Sequence, residues 1–157
     1  MIKNIETLVE GKQAEYFNLS DRIWDIAETK FQEQASSKEI IAFLIKEGFT
    51  VESNIAEIDT AFIGTYGTTG PIIGFLGEYD ALPELNQKAG STKKETDPSL
   101  GTTNGHGCGH NLLGTASLAA AIATRDYLKE NNIDAQIRYY GCPAEEGGSG
   151  KTYMARA

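Results

Sequence analysis

Cysteine and histidine are scarce in this chain, with two of each in 157 residues. Two cysteines, Cys108 and Cys142, cannot build a disulfide framework, and a reducing compartment leaves them available as thiols or ligands. Basic residues are also outnumbered: 14 Lys and Arg face 22 Asp and Glu, for a net charge of -8. No basic patch interrupts that excess, which argues against nucleic acid as a partner, because binding a phosphate backbone rests on clustered cations. Long apolar runs are missing too. None approaches the roughly 18 residues of a membrane span, and the N-terminal "MIKNIETLVEGK" carries charge throughout where a signal peptide would carry an apolar core. A cytoplasmic protein with no membrane partner is the expectation. Neither internal repeats nor low-complexity tracts occur, and 40% hydrophobic with 23% charged residues is ordinary for one soluble domain or part of one.

What is present divides into periodic segments and irregular, residue-specific ones. Ile2, Ile5, Leu8 and Val9, followed by Leu19, Ile23, Trp24, Ile26 and Ala27, recur at helical spacing and predict one long amphipathic helical region. Ser36 with Glu39 fits a capping box that starts a second helix. Ile40, Ile41, Leu44 and Ile45 form its buried face, and Gly48 can stop it in the left-handed conformation. Thr50 to Ser53 reads as a short strand. Ala61–Tyr66 and Pro71–Leu76 are β-rich runs separated by "GTTG", which predicts an antiparallel hairpin whose second arm is apolar enough to be central. Residues 84–107 show neither period, and a structureless connection of that length is usually functional or mobile. Helical spacing returns from His110 to Glu130, with Leu112, Ala116, Ala119, Ala123 and Tyr127 on one face, and a last strand runs from Ala135 to Tyr140.

That strand leads into "GCPAEEGGSGKT", residues 141–152, which looks like a phosphate loop. A Walker loop needs glycine five positions before its Gly-Lys-Thr, so that backbone amides can curl around phosphates. Here that position is Glu145, with Glu146 beside it, and two carboxylates would repel a polyphosphate. The serine-hydrolase elbow fails as well, because residues 147–150 lack the Gly-x-Ser-x-Gly spacing. Taken alone, the glutamates could simply complement a helix N-terminus.

Their company points elsewhere. "GTTNGHGCGHN", residues 101–111, holds both histidines of the protein within five positions, flanking Cys108. Thiolate and imidazole are preferred ligands of zinc and related ions, and the glycines allow a tight turn to aim Cys108 and His110 at one point. The positive end of the following helix should favour the ionised thiolate. A mixed site completed by strand-end carboxylates fits better than an all-Cys/His site, which would need His106, Cys108, His110 and Cys142 together. Cys142 reads as a small buried residue, and His106 as a structural or supporting one. A third cluster, "GEYDALPE" at residues 77–84, puts Asp80 just past a strand end, as Glu145 and Glu146 lie past theirs, which is where open α/β sheets build sites.

The three motifs together, "FLGEYDALPEL", "NGHGCGHNLLGTA" and "YYGCPAEEGGSGKT", resemble those of the co-catalytic metallopeptidase and aminoacylase family, which includes carboxypeptidase-like amidohydrolases. The resemblance runs along nearly the whole chain. It implies an α/β fold, a three-layer α/β/α zinc-exopeptidase-like catalytic domain with a mixed sheet. It also implies that Cys108, His110 and Glu146 are metal ligands, that Glu145 is the general base, and that Asp80 orients and tunes the site. Two-metal relatives usually carry a histidine where Glu78 stands, and the resemblance implies that His110 compensates for it. The implied cofactor is a divalent metal, Zn2+ or Mn2+, two per complete site. The implied reaction is cleavage of a small amide, of N-acyl amino acid or aryl-amide type, by metal-activated water, in a homo- or hetero-oligomer. Family members are more than twice as long and supply two further histidines downstream. Residues 1–157 therefore correspond to the N-terminal part of the catalytic domain, truncated, without the dimerisation (lid) domain or the C-terminal part of the catalytic domain. Alone, the chain would be inactive. Two alternatives remain open on the residues: a non-catalytic metal- or ligand-binding module, and a structural-zinc domain that unfolds on chelation.

Overall fold

The computed structural model describes residues 2–157, with side chains from residue 4 onward. Helices α1 (Ile2–Glu10), α2 (Gln13–Ile26) and α3 (Gln34–Lys46) precede strands β1 (Thr50–Ser53), β2 (Phe62–Tyr66) and β3 (Ile72–Gly77). Helix α4 (His110–Glu130), strand β4 (Gln136–Gly141) and the short helix α5 (Gly150–Met154) follow. No helix among the described residues is long and apolar enough to cross a membrane.

The strands form one mixed sheet in the order β1-β2-β4-β3. β4 runs antiparallel to β2 and parallel to β3, with Leu76 opposite Tyr140 and Gly77 opposite Gly141. The expected hairpin between β2 and β3 is therefore not formed. Both strands exist, but β4 enters between them, and β3 becomes an edge with Ile72 and Leu76 about half exposed. The "GTTG" segment does not make a tight reversal but arches over the start of β4. A Cβ at Gly70, whose φ is +79°, would lie 2.4 Å from the Asp134 carbonyl oxygen, so only glycine passes so close to that backbone. The apolar run of β3 predicts a central strand, yet of its large side chains only Phe75 packs against the core, while Ile72, Ile73 and Leu76 stay exposed; β3, α4 and β4 form a parallel crossover unit.

Helices α3 and α4 lie against the sheet, α3 on β1 and β2 and α4 on β3 and β4, with α2 bridging the two. Leu19, Ile23, Ile40, Leu44, Phe62, Leu118, Ile122 and Ile137 fill the interior, each at most 1% exposed. Alternation along β4 follows the two-residue period of a strand: Ile137 and Tyr139 point into the core, and Gln136, Arg138 and Tyr140 are half-buried on the other face. Two buried tyrosines donate to backbone carbonyls, Tyr79 to Thr60 at 2.6 Å and Tyr139 to Gly114 at 3.1 Å. Burial pushes both phenols well above their ordinary pKa.

Three local expectations are corrected. The N-terminal region is two helices, broken at Gly11 and Lys12, and the side chain of Ile2 lies outside the described residues. The α3 start is capped by Glu28 in place of a Ser36–Glu39 box: its carboxylate accepts from the Ala35 and Ser36 amides and the Ser36 hydroxyl, at 2.9 to 3.1 Å. A carboxylate reaching the first turn satisfies orphan amides and the helix dipole together. Ile45 is 58% exposed, while Phe43 is buried in its stead; Leu112 on α4 is likewise 64% exposed, and the buried stripe runs through Leu118, Ile122 and Arg125. Gly48 does stop α3, at φ +83°.

Candidate metal centre

The parallel pair β3 and β4 ends at adjacent glycines, Gly77 and Gly141. Beyond them the chain delivers Glu78 and Asp80 from one strand and Glu145 and Glu146 from the other. The crossover helix α4 brings its first residue, His110, to the same edge. It can do so because α4 touches the backbone there: a Cβ on Gly114 would lie 2.3 Å from the Glu78 carbonyl oxygen. Gly109, at φ +81°, turns the chain into the helix, just after Cys108. This is the C-terminal crevice at which open α/β sheets place their chemistry.

His110 is the hub. Its ring is 3% exposed, and Nδ1 lies 2.8 Å from Oδ1 of Asp80, a carboxylate that is itself fully buried. Donation from Nδ1 leaves Nε2 as the free ring atom, directed at Glu78 Oε2 at 3.1 Å and Glu145 Oε2 at 3.7 Å. The other oxygen of Asp80 accepts the Glu146 amide at 2.8 Å. One aspartate thus orients both the imidazole and the backbone that carries Glu146. Two sets of donor atoms converge, each within 4.8 Å of one another: Cys108, His110 and Glu146, and Glu78, His110 and Glu145. Oε1 of Glu146 is buried without a hydrogen-bond partner. An orphaned carboxylate oxygen next to a thiol and an imidazole fits a divalent cation, whose preferred donors are these three types.

The ionisation pattern follows from the crowding of acids. The hydrogen bond to Asp80, with the charges of Asp80, Glu78 and Glu146, raises His110 above its ordinary value despite burial. Burial pushes Asp80 up, but the hydrogen bond from His110 and the Glu146 amide outweigh it and hold the carboxyl below the usual range. The Cys108 thiol is exposed, and its hydrogen bond to Glu146, with the nearby charges of Glu145 and Glu78, raises its pKa. These carboxylates oppose the expected preference of the helix end for the thiolate. A cation would remove that penalty and displace the proton.

Outside these sets, His106 is buried beneath Trp24, with ring centroids 6.4 Å apart and Nε2 3.0 Å from the Ile23 carbonyl. Burial lowers its pKa. Cys142 is 2% exposed at the end of β4, and burial pushes its thiol up to about 11. Neither belongs to a converging donor set among the described residues. Glu78, which the sequence marks only as a departure from the two-metal pattern, lies immediately past a strand end, two residues before Asp80, and that placement is the signal that points to it. Lys151 from α5 also pairs with Glu78. Residues 84–107 are mostly irregular but tied down: Asn86 donates to the Asp97 and Thr102 carbonyls and accepts the Asp97 amide. Between this region and the loop after α2 lies a cleft of about 380 Å³ lined by Lys30, Leu82, Asn104 and Glu146.

No protein-family model matches the chain. It is 47% identical over 152 residues to a subunit of the p-aminobenzoyl-glutamate hydrolase of Escherichia coli, an alignment covering 97% of this chain and 31% of that protein. It is 30% identical over 152 residues to the mouse Xaa-Arg dipeptidase, covering 88% of this chain and 31% of that one. Among solved structures, a dinuclear metal-binding peptidase from Bacillus subtilis superposes with a TM-score of 0.72 at 22% identity, over 94% of this chain and 39% of that chain. The likeness in fold bears out the mixed-sheet α/β expectation. The chain spans about a third of the length of the curated relatives it matches.

Proposed function

We propose, from the premise that the chain belongs to the metallopeptidase and aminoacylase amidohydrolase family, that it forms the N-terminal part of a metal-dependent amidohydrolase. The observation that carries this reading is the convergence of Cys108, His110 and Glu146, whose donor atoms lie within 4.8 Å of one another, with Glu78 and Glu145 near Nε2 of the same imidazole. Cys108, His110 and Glu146 would hold a divalent cation, Zn2+ or Mn2+. Glu78, 3.1 Å from Nε2 of His110, adds a carboxylate beside the site without being counted among its ligands.

When bound, the cation supplies Lewis acidity toward a water and toward the scissile amide carbonyl. Glu145, 42% exposed at the mouth of the site, is the residue free to take a proton from water and return it to the departing amine. Its neighbour Glu146 is turned inward by the Asp80 contact to its amide, so adjacent carboxylates divide the work between proton transfer and ligation. Asp80 keeps His110 in the tautomer that leaves Nε2 available. The substrate class is a small amide, of the N-acyl amino acid or aryl-amide type, bound beside Glu146 and completed by further domains: a dimerisation domain and the remainder of the catalytic domain. A hetero-oligomeric assembly accords with the relative that is named a subunit.

Metal content decides the reading. The chain, equilibrated with Zn2+ or Mn2+ and dialysed, should retain metal. Cys108→Ser and Glu146→Ala should lose it, and Glu145→Gln should keep it while abolishing turnover in the full-length enzyme. Retention of full activity by Glu145→Gln, or metal uptake indifferent to Cys108 and Glu146, overturns the assignment. The chelated chain should keep its circular-dichroism spectrum; unfolding on chelation would favour a structural-zinc domain.

A further inference from the structure

Glu33, in the turn between α2 and α3, is fully buried. Its carboxylate is held by neutral groups: Oε2 accepts the Thr60 hydroxyl at 3.0 Å, and Oε1 accepts the Ala144 amide at 2.8 Å from a residue 111 positions away. Burying a carboxylate without a cation is costly, so the contact it makes with Ala144 is the place to look for its use. Ala144 has φ +58°, a left-handed conformation disfavoured for a residue with a Cβ. It immediately precedes the glutamate pair. The Ala144 carbonyl closes the same turn by accepting the Gly148 amide at 2.9 Å.

Two buried acids therefore grip alternate amides of one short segment. Glu33 holds Ala144, and Asp80 holds Glu146 at 2.8 Å; Glu145 leaves the chain between the two anchors. We propose that Glu33 is a positioning residue for the proposed reaction: by accepting the Ala144 amide it keeps the turn in its left-handed form and sets the directions in which Glu145 and Glu146 project. Its functional weight rests on the amidohydrolase reading, and its geometry does not. Glu33 touches neither substrate nor cation and acts only through the backbone. An acceptor oxygen is what the position requires, so glutamine serves there, whereas methionine fills the space and supplies none.

The test uses this chain with three substitutions: Glu33→Met, Glu33→Gln and, as a control for lost stability alone, the core truncation Ile40→Ala. Two readouts are followed: hydrogen exchange of the Ala144 and Glu146 amides by nitrogen-15 NMR, and Cd2+ affinity from the thiolate-to-cadmium absorbance of Cys108. Glu33→Met should lose protection at both amides and weaken Cd2+ binding roughly 10- to 100-fold, the usual scale for a partner that orients ligands. Glu33→Gln should restore both, and Ile40→Ala should lower the melting temperature while leaving both unchanged. Wild-type protection and affinity in Glu33→Met, or the same losses in Ile40→Ala, overturn the proposal. If Glu33→Met does not fold, Thr60→Val, which leaves Oε2 unpaired, should show a smaller loss in both readouts, and no loss overturns the proposal equally. A wild-type chain that takes up no Cd2+ through Cys108 sinks the metal reading alone. Amide exchange then decides the role of Glu33, with retained Glu146 protection in Glu33→Met counting against it.

Discussion

Nδ1 of His110 lies 2.8 Å from Oδ1 of Asp80, whose second oxygen accepts the Glu146 amide at 2.8 Å. A single buried carboxylate thereby couples the orientation of an imidazole at a helix start to that of a carboxylate past a strand end. Asp80→Asn should weaken metal binding roughly 10- to 100-fold, because the amide side chain cannot accept from both the ring and the Glu146 backbone as the carboxylate does. Isothermal titration with Zn2+ measures it, and an unchanged affinity would remove Asp80 from its orienting role.

The raised pKa of Cys108 has Glu146 as its first cause. Glu146→Gln removes that charge, so in the metal-free chain the pH profile of Cys108 alkylation by iodoacetamide should move to lower pH. Cys142, buried and raised to about 11, should remain unreactive in the folded protein. A profile that moves upward in Glu146→Gln contradicts the contact.

Glu33 carries the opposite lesson about burial. Its folded pKa is raised, with desolvation the largest cause and the Ala144 amide and Thr60 hydroxyl opposing it. A group with a raised folded pKa contributes stability that is present below its unfolded pKa and is lost as pH rises through the folded value. Glutamine at this position does not titrate. The melting temperature of Glu33→Gln relative to wild type should therefore become more favourable as pH rises from the acid side of the carboxylate range to neutrality. A difference that is constant with pH, or that reverses in sign, would contradict the buried carboxylate.

Gly114 marks the closest approach of α4 to the site backbone, where an added Cβ would sit 2.3 Å from the Glu78 carbonyl oxygen. Gly114→Ala forces the helix or the strand end to shift and should cost about 1 to 3 kcal/mol, despite the better helix propensity of alanine. Urea denaturation reads the loss, and a stabilised variant would mean that the contact is looser than described.

Much of this was legible along the chain. Helix α4, strand β1, the stop at Gly48 and the pairing of Cys108 with His110 in one glycine-rich turn follow from local spacing, since a helix period or a glycine turn is written within a dozen residues, whereas singling out Glu146 as a donor rests on the resemblance of the motifs. The alignment of Glu78 with His110 and Glu145 was not, and neither was the contact between Glu33 and Ala144. Both join residues brought together only when β3, α4 and β4 close their crossover.

By itself, then, the order of residues determined which segments become helix or strand and which side chains are available to bind a cation. Tertiary structure decided that β4 would separate β2 from β3, that Glu28 would cap α3, and that two buried acids would hold the turn carrying the glutamate pair. The physical reason is one of range. Backbone propensity and apolar period act between near neighbours, whereas strand order and the pairing of buried polar groups are chosen by which long-range contacts satisfy the most hydrogen bonds and bury the most apolar surface at once.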